Sequence, residues 1–595
     1  MSALQAAAGG GGAAAPAGTA RDNRPTGLPQ AVSALVRRSA AQDPDAPAYI
    51  TADRRTSRRE YDRLADAVRW AVVAATGAGG TEDRGTEDRD EAGPAPVAVL
   101  LPDTAVIHAA LVGCWRAGRI AAAIGVRTGD REAAHVIATA GARVLVTAPS
   151  VRGRGWRAIA AALAGQGAAP GAVVVVDEDA GTAAVHRGEG GQWTAAGQAA
   201  AAAEPAPATE PDPADVGRVS ILNCTSGSTG LPKVVAHTEH TWLEFARMAA
   251  LGGGITDADV VCSVVPAPYG FGLWSAHFLP ALLGVPAVVT GRFDAAETAE
   301  LIERERVTVL CCVTTQFKML LRSPAARARD LSSLRVLYTG GEQVGRAAAE
   351  EFEALTGAKV LQFYGSNEAG PVSATTIRDD ADTRLGTCGR LVAGVETRVH
   401  RPDSAGPRRG RLEVRSSLRS RGYWNDAAAD RALFTDDGWM RMGDEVEFDE
   451  AGRLTVVGRT AQIIIRGGRN ISVAEVEELV RAEPAVADVV VVPVPDPVFG
   501  ERVCAMVVPA AGAAVDTASL GAALRARGVT PELLPEYVLC VDEMPMGAGG
   551  KADRGAARAL AQAAAAAPPP SSGVPRRGGE VVSRGRTPRA CPTRA

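Results

Sequence analysis

The chain has 595 residues, 46% of them hydrophobic, and a formal net charge of −4. A chain of this length is expected to fold as more than one globular unit, and its charge provides no electrostatic attraction for nucleic acid or an anionic membrane surface. The sequence has neither an apolar run long enough to span a bilayer nor a basic, leucine-rich leader. We therefore expect a cytoplasmic protein with at least two domains.

The predicted elements divide the chain into two tails and two domains. Residues 1–27 are rich in alanine, glycine and proline, and residues 563–595 in proline and arginine, so both are predicted to be disordered. Residues 28–458 are predicted to form a large N-terminal domain. Residues 459–562 have the length of a second, compact domain.

Short runs of valine, isoleucine and leucine alternate with longer helical segments in the N-terminal domain. This alternation predicts an α/β fold with mostly parallel sheets. Two polar stretches, 76–93 and 199–215, interrupt the pattern and are predicted to be solvated insertions. The predicted strands are 97–101, 143–147, 173–176, 307–312 and 336–338.

The pattern starts again on a smaller scale after residue 459. Strands are predicted over 463–465, 486–494 and 503–508, with a helix over 473–483. This arrangement indicates a small α+β domain at the C-terminal end.

A glycine-rich loop with several hydroxyl groups follows the apolar run 219–222 and precedes a helical pattern. Glycines let backbone N–H groups approach phosphate oxygens, hydroxyls donate further hydrogen bonds, and a lysine neutralises charge. The spacing differs from the Walker pattern, so a P-loop NTPase fold is not implied. The loop reads Thr225-Ser226-Gly227-Ser228-Thr229-Gly230-Leu231-Pro232-Lys233.

Lysine is rare in this chain. Lysine and arginine together number 64, yet the only lysines are Lys233, Lys318, Lys359 and Lys551. A retained lysine suggests a position where a guanidinium cannot replace a compact ammonium on a flexible stem. Lys233 lies in the phosphate loop, and composition alone leaves Lys318, Lys359 and Lys551 as further candidates.

The phosphate loop resembles the signature of the adenylate-forming superfamily, which includes acyl-CoA synthetases, peptide-synthetase adenylation domains and firefly-type luciferases. Further motifs of the superfamily follow in order, and the resemblance covers about residues 30–560. It implies a large N-terminal domain of stacked, mostly parallel sheets with helices, and a small mobile α+β C-terminal domain. The motifs are Tyr364-Gly365-Ser366-Asn367-Glu368, Gly438-Trp439-Met440-Arg441-Met442-Gly443-Asp444, Gly458-Arg459, Ile465-Arg466-Gly467-Gly468-Arg469-Asn470-Ile471 and Pro545–Lys551 with Arg554.

The resemblance implies an acid–CoA ligase that uses ATP and Mg²⁺. Tyr364 would stack on adenine, Glu368 would hold Mg²⁺ against the phosphates, Asp444 would contact the ribose, and Arg459 would contact the ribose or a phosphate. Lys551 would bridge the acid carboxylate and the α-phosphate. The full nucleotide-binding set implied is Thr225, Ser226, Gly227, Ser228, Thr229, Gly230, Lys233, Tyr364, Gly365, Ser366, Asn367, Asp444 and Arg459.

The resemblance also implies a second half-reaction, in which the acyl group passes to the pantetheine thiol of CoA. The C-terminal domain would rotate about a hinge at Thr460 and Ala461 and withdraw Lys551. The loop at Gly467 and Gly468 would then face the thiol, although two adjacent glycines also suit an ordinary turn.

The acid pocket is expected around residues 266–274, opposite residues 340–342. Tyr269 and Phe271 would form aromatic walls and the glycines would leave room, unless the two aromatic residues only pack the core. Such a pocket favours a bulky aryl, alicyclic or terpenoid acid, as in actinobacterial natural-product ligases that this chain resembles. The pocket candidates are His240, Tyr269, Phe271, Gly272, Gly340, Gly341 and Glu342.

His237 and His240 are spaced like two ligands of a metal ion. With a spacing of three they would share one helical face, but the sequence shows no third ligand at a suitable spacing. We therefore do not predict zinc binding.

Several positions depart from the superfamily pattern. Asn367 and Met442 replace threonines near AMP, Ala461 replaces a hinge aspartate, and Gly549-Gly550 precedes Lys551 where relatives have Thr-Gly. We hypothesise that one half-reaction, adenylation rather than thioester formation, is weakened or performed by a partner ligase. The alternatives are an enzyme that loads a carrier protein and a non-catalytic or oxidative relative that keeps the nucleotide site. A homodimer is also considered.

Overall fold

The computed structural model describes residues 31–77, 94–189, 191–200, 216–225, 231–341, 344–400, 408–459, 463–545 and 553–566. Both predicted tails and most of both predicted insertions lie outside these residues, apart from a few residues at their edges. Among the helices in the described ranges, none is long and apolar enough to cross a membrane.

The described residues of the first part of the chain, 31–77, 94–189 and 191–200, form ten strands and five helices. The strands are β1 (Pro47–Ile50), β2 (Arg55–Ser57), β3 (Val97–Leu100), β4 (Ala121–Ala123), β5 (Val144–Thr147), β6 (Ser150–Val151), β7 (Arg154–Gly155), β8 (Ala172–Asp177), β9 (Thr182–Glu189) and β10 (Gln192–Ala200). The helices are α1 (Val32–Gln42), α2 (Arg58–Thr76), α3 (Ala105–Arg116), α4 (Asp130–Ala140) and α5 (Trp156–Gly165).

The second part, residues 216–391, completes the two large sheets. Its strands are β11 (Val219–Thr225), β12 (Lys233–Thr238), β13 (Val261–Ser263), β14 (Ala287–Val289), β15 (Val309–Cys311), β16 (Val336–Gly340), β17 (Lys359–Ser366), β18 (Gly370–Ala374) and β19 (Arg390–Leu391). Its helices are α6 (Glu239–Gly253), α7 (Gly270–Gly272), α8 (Leu279–Leu283), α9 (Ala295–Glu305), α10 (Thr314–Arg322), α11 (Pro324–Arg327), α12 (Arg346–Thr356) and α13 (Ala381–Gly386), with a π-helical stretch at Leu273–Phe278.

The remaining elements form two smaller sheets. The third sheet consists of β20 (Val395–His400), β21 (Arg409–Ser416), β22 (Met440–Phe448) and β23 (Leu454–Arg459), with α14 (Ala427–Leu433) beside it in sequence. The C-terminal elements are β24 (Ile463–Arg466), β25 (Arg469–Ser472), α15 (Val473–Arg481), β26 (Val486–Asp496), β27 (Gly500–Pro509), α16 (Thr517–Ala526), β28 (Tyr537–Cys540) and α17 (Arg554–Ala566), with a 3₁₀ turn at Pro531–Leu533.

Two large sheets dominate the fold. The first has the strand order β19-β18-β17-β16-β15-β13-β14-β1-β2, and the second has the order β10-β9-β8-β5-β3-β4-β11-β12. Their central pairs are parallel, which confirms the predicted α/β class. One hydrophobic cluster contains residues from both sheets and from α2, α3 and α6, so the two sheets share a core.

Helix α2 shows how the local sequence specifies these elements. Ser57 precedes the helix and accepts a hydrogen bond from the backbone of Glu60, whose carboxylate accepts one from the Ser57 backbone in return. This reciprocal cap satisfies two donors that the first helical turn leaves free. Apolar residues then recur at helical spacing and face the core. They are Tyr61, Leu64, Ala65, Val68, Ala71, Val72 and Ala75.

The C-terminal region has a mostly antiparallel sheet and a hydrophobic core of its own. Its sheet has the order β25-β24-β27-β26, with β28 parallel to β27. The predicted helix over 473–483 is observed as Val473–Arg481, and the three predicted strands are present. The structure therefore confirms the predicted small α+β unit.

The parallel strands of the first sheet position a cleft. Because β13, β15, β16 and β17 are parallel neighbours, their carboxyl ends meet at one edge. Ligands of open α/β sheets bind at this edge. Strand β11 of the second sheet ends nearby at Thr225, and the residues of the candidate site lie between the two sheets.

Candidate active site

The carboxylate of Glu368 lies at the centre of the cleft, in the turn between β17 and β18. Its Oε1 accepts hydrogen bonds from the Tyr423 hydroxyl at 2.8 Å and from the Thr225 hydroxyl at 3.3 Å. Burial, together with the neighbouring Glu368 carboxylate, raises the pKa of the Tyr423 hydroxyl, so the phenol remains a donor. The side chain of Glu368 is therefore held in place by groups from two other parts of the chain.

The phosphate loop differs from the prediction in one respect. Lys233 starts β12, which pairs antiparallel with β11 in a register that sets Thr225 opposite Lys233. The loop consequently joins two strands, and the predicted helix directly after it is wrong, since α6 begins only at Glu239. The Lys233 ammonium lies 4.8 Å from the centroid of the Tyr423 ring, a cation–π distance that places it near Glu368.

Two of the sequence motifs meet at the end of β17. The Tyr364 hydroxyl donates a hydrogen bond to Oδ2 of Asp444 at 2.8 Å, although the two residues are 80 positions apart. Both side chains are buried. Asp444 is also opposite Arg459 in the register of β22 and β23. The predicted adenine and ribose contacts therefore lie next to each other at one edge of the cleft.

The tight turn that carries Glu368 depends on its neighbours. The Ser366 hydroxyl accepts a hydrogen bond from the backbone of Ala369 at 3.0 Å, and Gly365 packs directly on Gly370. Ser366, Asn367 and Glu368 are at least partly exposed to the cleft. The turn thus presents a carboxylate to a ligand on a short, well-braced segment.

The groups at this turn fit a magnesium ion bound together with a nucleotide. Mg²⁺ prefers oxygen ligands and is usually bound by one or two carboxylates plus substrate phosphates. Glu368 supplies such a carboxylate, and the Thr225 hydroxyl lies beside it. Among the described residues no cluster of three or more potential metal-ligating side chains was found, and this site needs only the one carboxylate when phosphates complete the shell.

The predicted acid-pocket residues occupy different positions around the cleft. Phe271 is half-buried, and a Cβ on Gly340 would lie 3.8 Å from its ring, so these two are adjacent. Gly341 is exposed just beyond them. Gly272 is buried with its Cα against the Pro266 carbonyl, where a Cβ would lie 2.1 Å from the oxygen. The glycine at 272 therefore permits backbone packing.

The predicted histidine pair is not on one helical face. His237 lies in β12 and is fully buried, whereas His240 is in the first turn of α6 and half-buried. The prediction of a shared helical face was wrong because the strand extends to Thr238. Burial lowers the pKa of His237 to about 3, an effect that the neighbouring Asn367 partly offsets.

The glycine loop of the C-terminal region contacts the N-terminal domain at the rim of the cleft. A Cβ on Gly468 would lie 2.9 Å from the side chain of Val313, and a Cβ on Gly341 would lie 3.7 Å from the Gly468 carbonyl oxygen. Gly467 and Gly468 both have positive φ, at 56° and 78°, a conformation that glycine adopts without strain. The loop can therefore lie flat against the rim.

An arginine next to this loop connects the domains. The Arg469 guanidinium donates a hydrogen bond to the Tyr269 hydroxyl and lies 4.6 Å from the centroid of that ring. Glu532 lies 3.6 Å from Arg469, and Arg127 of the N-terminal domain lies 3.1 Å from the same carboxylate. Tyr269, predicted to line the acid pocket, thus also contacts the C-terminal domain.

Two buried carboxyl groups also meet at the domain interface. Glu132 on α4 and Glu475 on α15 are 1% and 3% exposed. Burial raises the pKa of Glu475 from its ordinary value of 4.5 to about 8, with Glu132 and Glu478 raising it further and Arg131 lowering it. Burial also raises the pKa of Glu132, with Arg131 opposing and Asp130 reinforcing the shift. Burial at the interface therefore disfavours the charged forms of these two carboxyl groups.

Some of the predicted site residues lie outside the described residues and remain predictions. They are the phosphate-loop residues Ser226, Gly227, Ser228, Thr229 and Gly230, the pocket candidate Glu342, the hinge residues Thr460 and Ala461, and Lys551.

The structure brings into the site three residues to which the sequence had assigned no role. Tyr423 donates to Glu368 from 55 positions away, Asn223 contacts Asn367 across 144 positions, and Arg469 contacts Tyr269 across 200. Tyr423 follows Gly422 and Arg469 follows Gly468, and this proximity to a glycine was the one signal in the sequence that could have pointed to them. Their partners could not be identified without the fold.

Comparisons with known proteins identify the family. The AMP-binding enzyme family model matches residues 36–424, and the model of the AMP-binding enzyme C-terminal domain matches residues 475–551. A salicylyl-CoA synthase / salicylate adenylyltransferase from Streptomyces sp is 33% identical over 346 residues, which is 57% of this chain and 62% of that protein. An indoleacetate–CoA ligase from Aromatoleum aromaticum is 34% identical over 340 residues, or 56% and 66% of the two chains.

The matched stretch therefore spans less than two thirds of the length of these curated relatives. Among solved structures, the amide bond synthetase McbA from Marinactinospora thermotolerans has a TM-score of 0.72 at 28% identity, covering 88% of this chain and 99% of that one. Because the first family model covers more than half of the chain, this protein belongs to the AMP-binding enzyme family of the adenylate-forming superfamily.

Proposed function

We propose that this chain is an acid–thiol ligase that converts a carboxylic acid to an acyl-adenylate and then transfers the acyl group to CoA. The observation that carries the proposal is the cluster of Glu368, Thr225, Tyr423 and Lys233 at the end of the phosphate loop. It unites a metal-binding carboxylate with a phosphate-binding lysine in one cleft. The relatives' printed activities, CoA ligation and adenylation, support the same reaction class.

In the first half-reaction, the acid carboxylate attacks the α-phosphate of ATP and pyrophosphate leaves. The reacting groups are anionic, so catalysis depends on positioning and positive charge. Lys233 is placed to neutralise phosphate charge, and Tyr423 and Thr225 hold Glu368 ready to bind Mg²⁺. When bound, Mg²⁺ would neutralise charge on the departing pyrophosphate. Lys551 is proposed to join the carboxylate and the α-phosphate.

In the second half-reaction, the CoA thiol attacks the acyl carbon and AMP leaves. The contact of Gly468 with the cleft rim at Val313 and Gly341 supports this step, because the glycine loop provides a side-chain-free surface where a narrow thiol arm could enter. We infer that the domain arrangement seen here is the thiol-accepting one. Lys551 would act in the other arrangement.

The limited depth of the cleft supports an acid that contains a ring and no long chain. Phe271 and Phe363 are half-buried around Gly340, and the Trp274 ring lies 5.3 Å and 5.6 Å from their centroids. Trp274 and Tyr338 are 1% and 0% exposed and fill the space behind them. We therefore favour a single-ring aryl or alicyclic acid, which would stack on Phe271, over a long terpenoid acid.

Two alternatives remain as variants of this proposal. The acyl group could pass to a carrier protein, or this chain could perform thioester formation on an adenylate that a partner ligase supplies. A third acceptor class, an amine, is suggested by the structural likeness to an amide bond synthetase. The acceptor distinguishes the carrier-protein and amine alternatives, and AMP formation by this chain alone distinguishes the partner-ligase alternative.

The test is a panel of acids assayed for AMP and for acylated product, with CoA, a phosphopantetheinylated carrier protein or an amine as acceptor. Benzoate, salicylate, cyclohexanecarboxylate and a terpenoid acid cover the acid classes. We expect equal amounts of AMP and acyl-CoA with a single-ring acid. The Lys551→Ala variant should lose AMP formation yet still convert a supplied acyl-adenylate to the thioester. AMP without any acyl-CoA would contradict the choice of acceptor, and no AMP with any acid would contradict adenylation.

A further inference from the structure

A pair of asparagine side chains joins the two large sheets beneath the candidate ATP site. The Asn223 amide donates to Oδ1 of Asn367 at 2.9 Å, and the Asn367 amide donates to Oδ1 of Asn223 at 2.7 Å. Asn223 is on β11 and is 0% exposed. Asn367 is in the turn that carries Glu368. The two hydrogen bonds thus connect the strand before the phosphate loop to the turn with the metal-binding carboxylate.

The same strand makes a second contact with the same turn. Side chains two positions apart on a strand share one face, so Asn223 and Thr225 both face the turn. Asn223 contacts Asn367, and Thr225 donates to the adjacent Glu368 at 3.3 Å. The spacing between the phosphate loop and the carboxylate is therefore set by neighbouring pairs of residues.

The surroundings of Asn367 leave its side chain little freedom. A Cβ on Gly270 would lie 2.8 Å from Oδ1 of Asn367 and 2.9 Å from the Trp242 ring, so only a glycine allows this approach. His237 is close on the second sheet, and its low pKa of about 3 means that it is uncharged at neutral pH. Asn367 is accordingly held by neutral groups and by tight packing.

We propose that Asn223 and Asn367 act together as positioning residues for ATP binding, by fixing the Glu368 turn to the strand that carries the phosphate loop. This inference rests on the proposed function and deepens it. It also changes the meaning of Asn367, which the sequence suggested as a weakened substitute for a threonine that contacts AMP. In this chain the amide serves a structural partner, Asn223, that a threonine could not pair with in the same way.

The pairing predicts coupled effects of substitution. Removing either amide breaks both hydrogen bonds, so ATP binding must then supply the free energy that had ordered the Glu368 turn, and the net contribution of such hydrogen bonds corresponds to about a tenfold change in an equilibrium constant. We therefore expect about tenfold weaker binding of Mg·ATP for Asn223→Ala and for Asn367→Ala. Each single variant already breaks both hydrogen bonds. The double variant should therefore bind Mg·ATP with the same affinity as the single variant that binds it less tightly.

The experiment measures Mg·ATP binding by calorimetry in the full-length protein without any acid, so the readout does not depend on turnover. The variants are Asn223→Ala, Asn367→Ala, the double variant and Asn367→Thr. Thr147→Ala is the matched control, because its buried hydroxyl donates to the Leu100 carbonyl at 3.0 Å in the same sheet as β11, but outside the cleft. Melting temperatures show whether each variant is folded, and the two Asn367 variants leave the buried strand residue Asn223 unchanged.

We expect Asn367→Thr to bind Mg·ATP about as weakly as Asn367→Ala, and Thr147→Ala to bind like the unmodified protein. In pyrophosphate exchange, the KM for ATP should rise while the KM for the acid stays constant. Additive losses in the double variant, or stronger binding by Asn367→Thr, would overturn the inference.

The outcomes separate this inference from the proposed function. If Mg·ATP binds and shows the coupled losses but no acid supports pyrophosphate exchange, the inference stands and the ligase proposal fails. If exchange proceeds and the losses are additive, the ligase proposal stands and the inference fails. Unmodified protein that binds no Mg·ATP would overturn both.

Discussion

The nucleotide side and the domain-interface side of the cleft are held together by different kinds of interaction. On the nucleotide side, Asn223, Asn367 and Glu368 are fixed by hydrogen bonds within the N-terminal domain. On the interface side, Arg469 and Glu475 from the C-terminal region contact the N-terminal domain through charged or titratable groups. The first set does not depend on domain orientation, whereas the second exists only when the domains meet as they do here.

This difference suggests how one cleft can support two half-reactions. In the proposed reaction, a rigid nucleotide site would keep ATP and the adenylate in place during both steps. The interface contacts are reversible, because ion pairs and cation–π contacts at partly exposed positions are individually weak. We therefore expect substitutions on the nucleotide side to affect adenylation, and substitutions at the interface to affect thioester formation selectively.

The largest effect is expected for Glu368→Gln. The amide keeps the shape of the side chain but removes the charge that would bind Mg²⁺, so pyrophosphate exchange should fall by about 10²–10³-fold, as for loss of one preorganised electrostatic contact. The exchange rate at saturating acid is the measurement. Glu350→Gln, an exposed glutamate on α12, is the control. A Glu368→Gln rate within twofold of the control would exclude Glu368 from the metal site.

A selective effect on the second half-reaction is expected for Gly468→Val. The Cβ would lie 2.9 Å from Val313 at the rim, so the loop cannot keep its place, and thioester formation should fall by about 10²-fold, as a small misplacement can cause. Conversion of supplied acyl-adenylate measures this step. Gly452→Val is a matched control because Gly452 has a similar φ of 74° but open space around its Cβ position.

Adenylation by Gly468→Val should equal that of the unmodified protein. An equal loss in both half-reactions would show that the loop is needed for folding rather than for the thiol step.

A smaller effect is expected for Arg469→Leu. Loss of the hydrogen bond and cation–π contact with Tyr269 should slow thioester formation by roughly twofold to fivefold, the range for an exposed cation–π pair. Arg525→Leu, on the exposed face of α16, controls for loss of a positive charge in the same domain. If Arg469→Leu changes adenylation instead, the contact with Tyr269 serves the acid pocket and not domain docking.

The smallest effect concerns pH. Burial, together with Glu132 of the N-terminal domain, raises the pKa of Glu475 from 4.5 to about 8, so we expect the docked arrangement to take up protons. Its stability is fully present below pH 4.5 and declines as pH rises to about 8. Glu132→Gln removes the charge that contributes to this shift. The rate of thioester formation by this variant, divided by the rate of the unmodified protein, should therefore rise through this window and then level off.

The ratio of the two rates cancels the ionisation of the CoA thiol itself, because that ionisation is common to both proteins. A ratio that stays constant from pH 5 to pH 8 would show that Glu132 does not contribute to docking.

The sequence was sufficient for the parts of the site that are specified locally. The order of motifs predicted Glu368, Tyr364 and Asp444 as site residues, and Tyr364 and Glu368 lie at the end of β17, at the edge that the parallel strands share. Strand β12 was missed because the Val234–Ala236 run is short and merges with the helical pattern of α6. That error also produced the mistaken helical face for His237 and His240.

The remaining site features depend on contacts between distant parts of the chain. Nothing in the sequence near Asn223 indicates that its amide faces Asn367. Asn223 is on a strand of the second sheet, and Asn367 is in a turn between two strands of the first sheet. The depth of the acid pocket likewise depends on Trp274 and Tyr338, whose packing follows from the shared core. The sequence suggested a bulky acid and a weakened adenylation site, whereas we propose a shallower pocket and a nucleotide site held in place by the Asn223–Asn367 pair.

The central claim is that this chain carries out adenylation itself, on a nucleotide site preorganised within the N-terminal domain. Acid-dependent exchange of pyrophosphate with ATP by the purified, unmodified chain tests this claim most directly. We predict exchange with a single-ring aryl or alicyclic acid, dependent on Mg²⁺ and lost in Lys551→Ala. No exchange with any acid, together with rapid thioester formation from a supplied acyl-adenylate, would contradict the claim and assign adenylation to a partner.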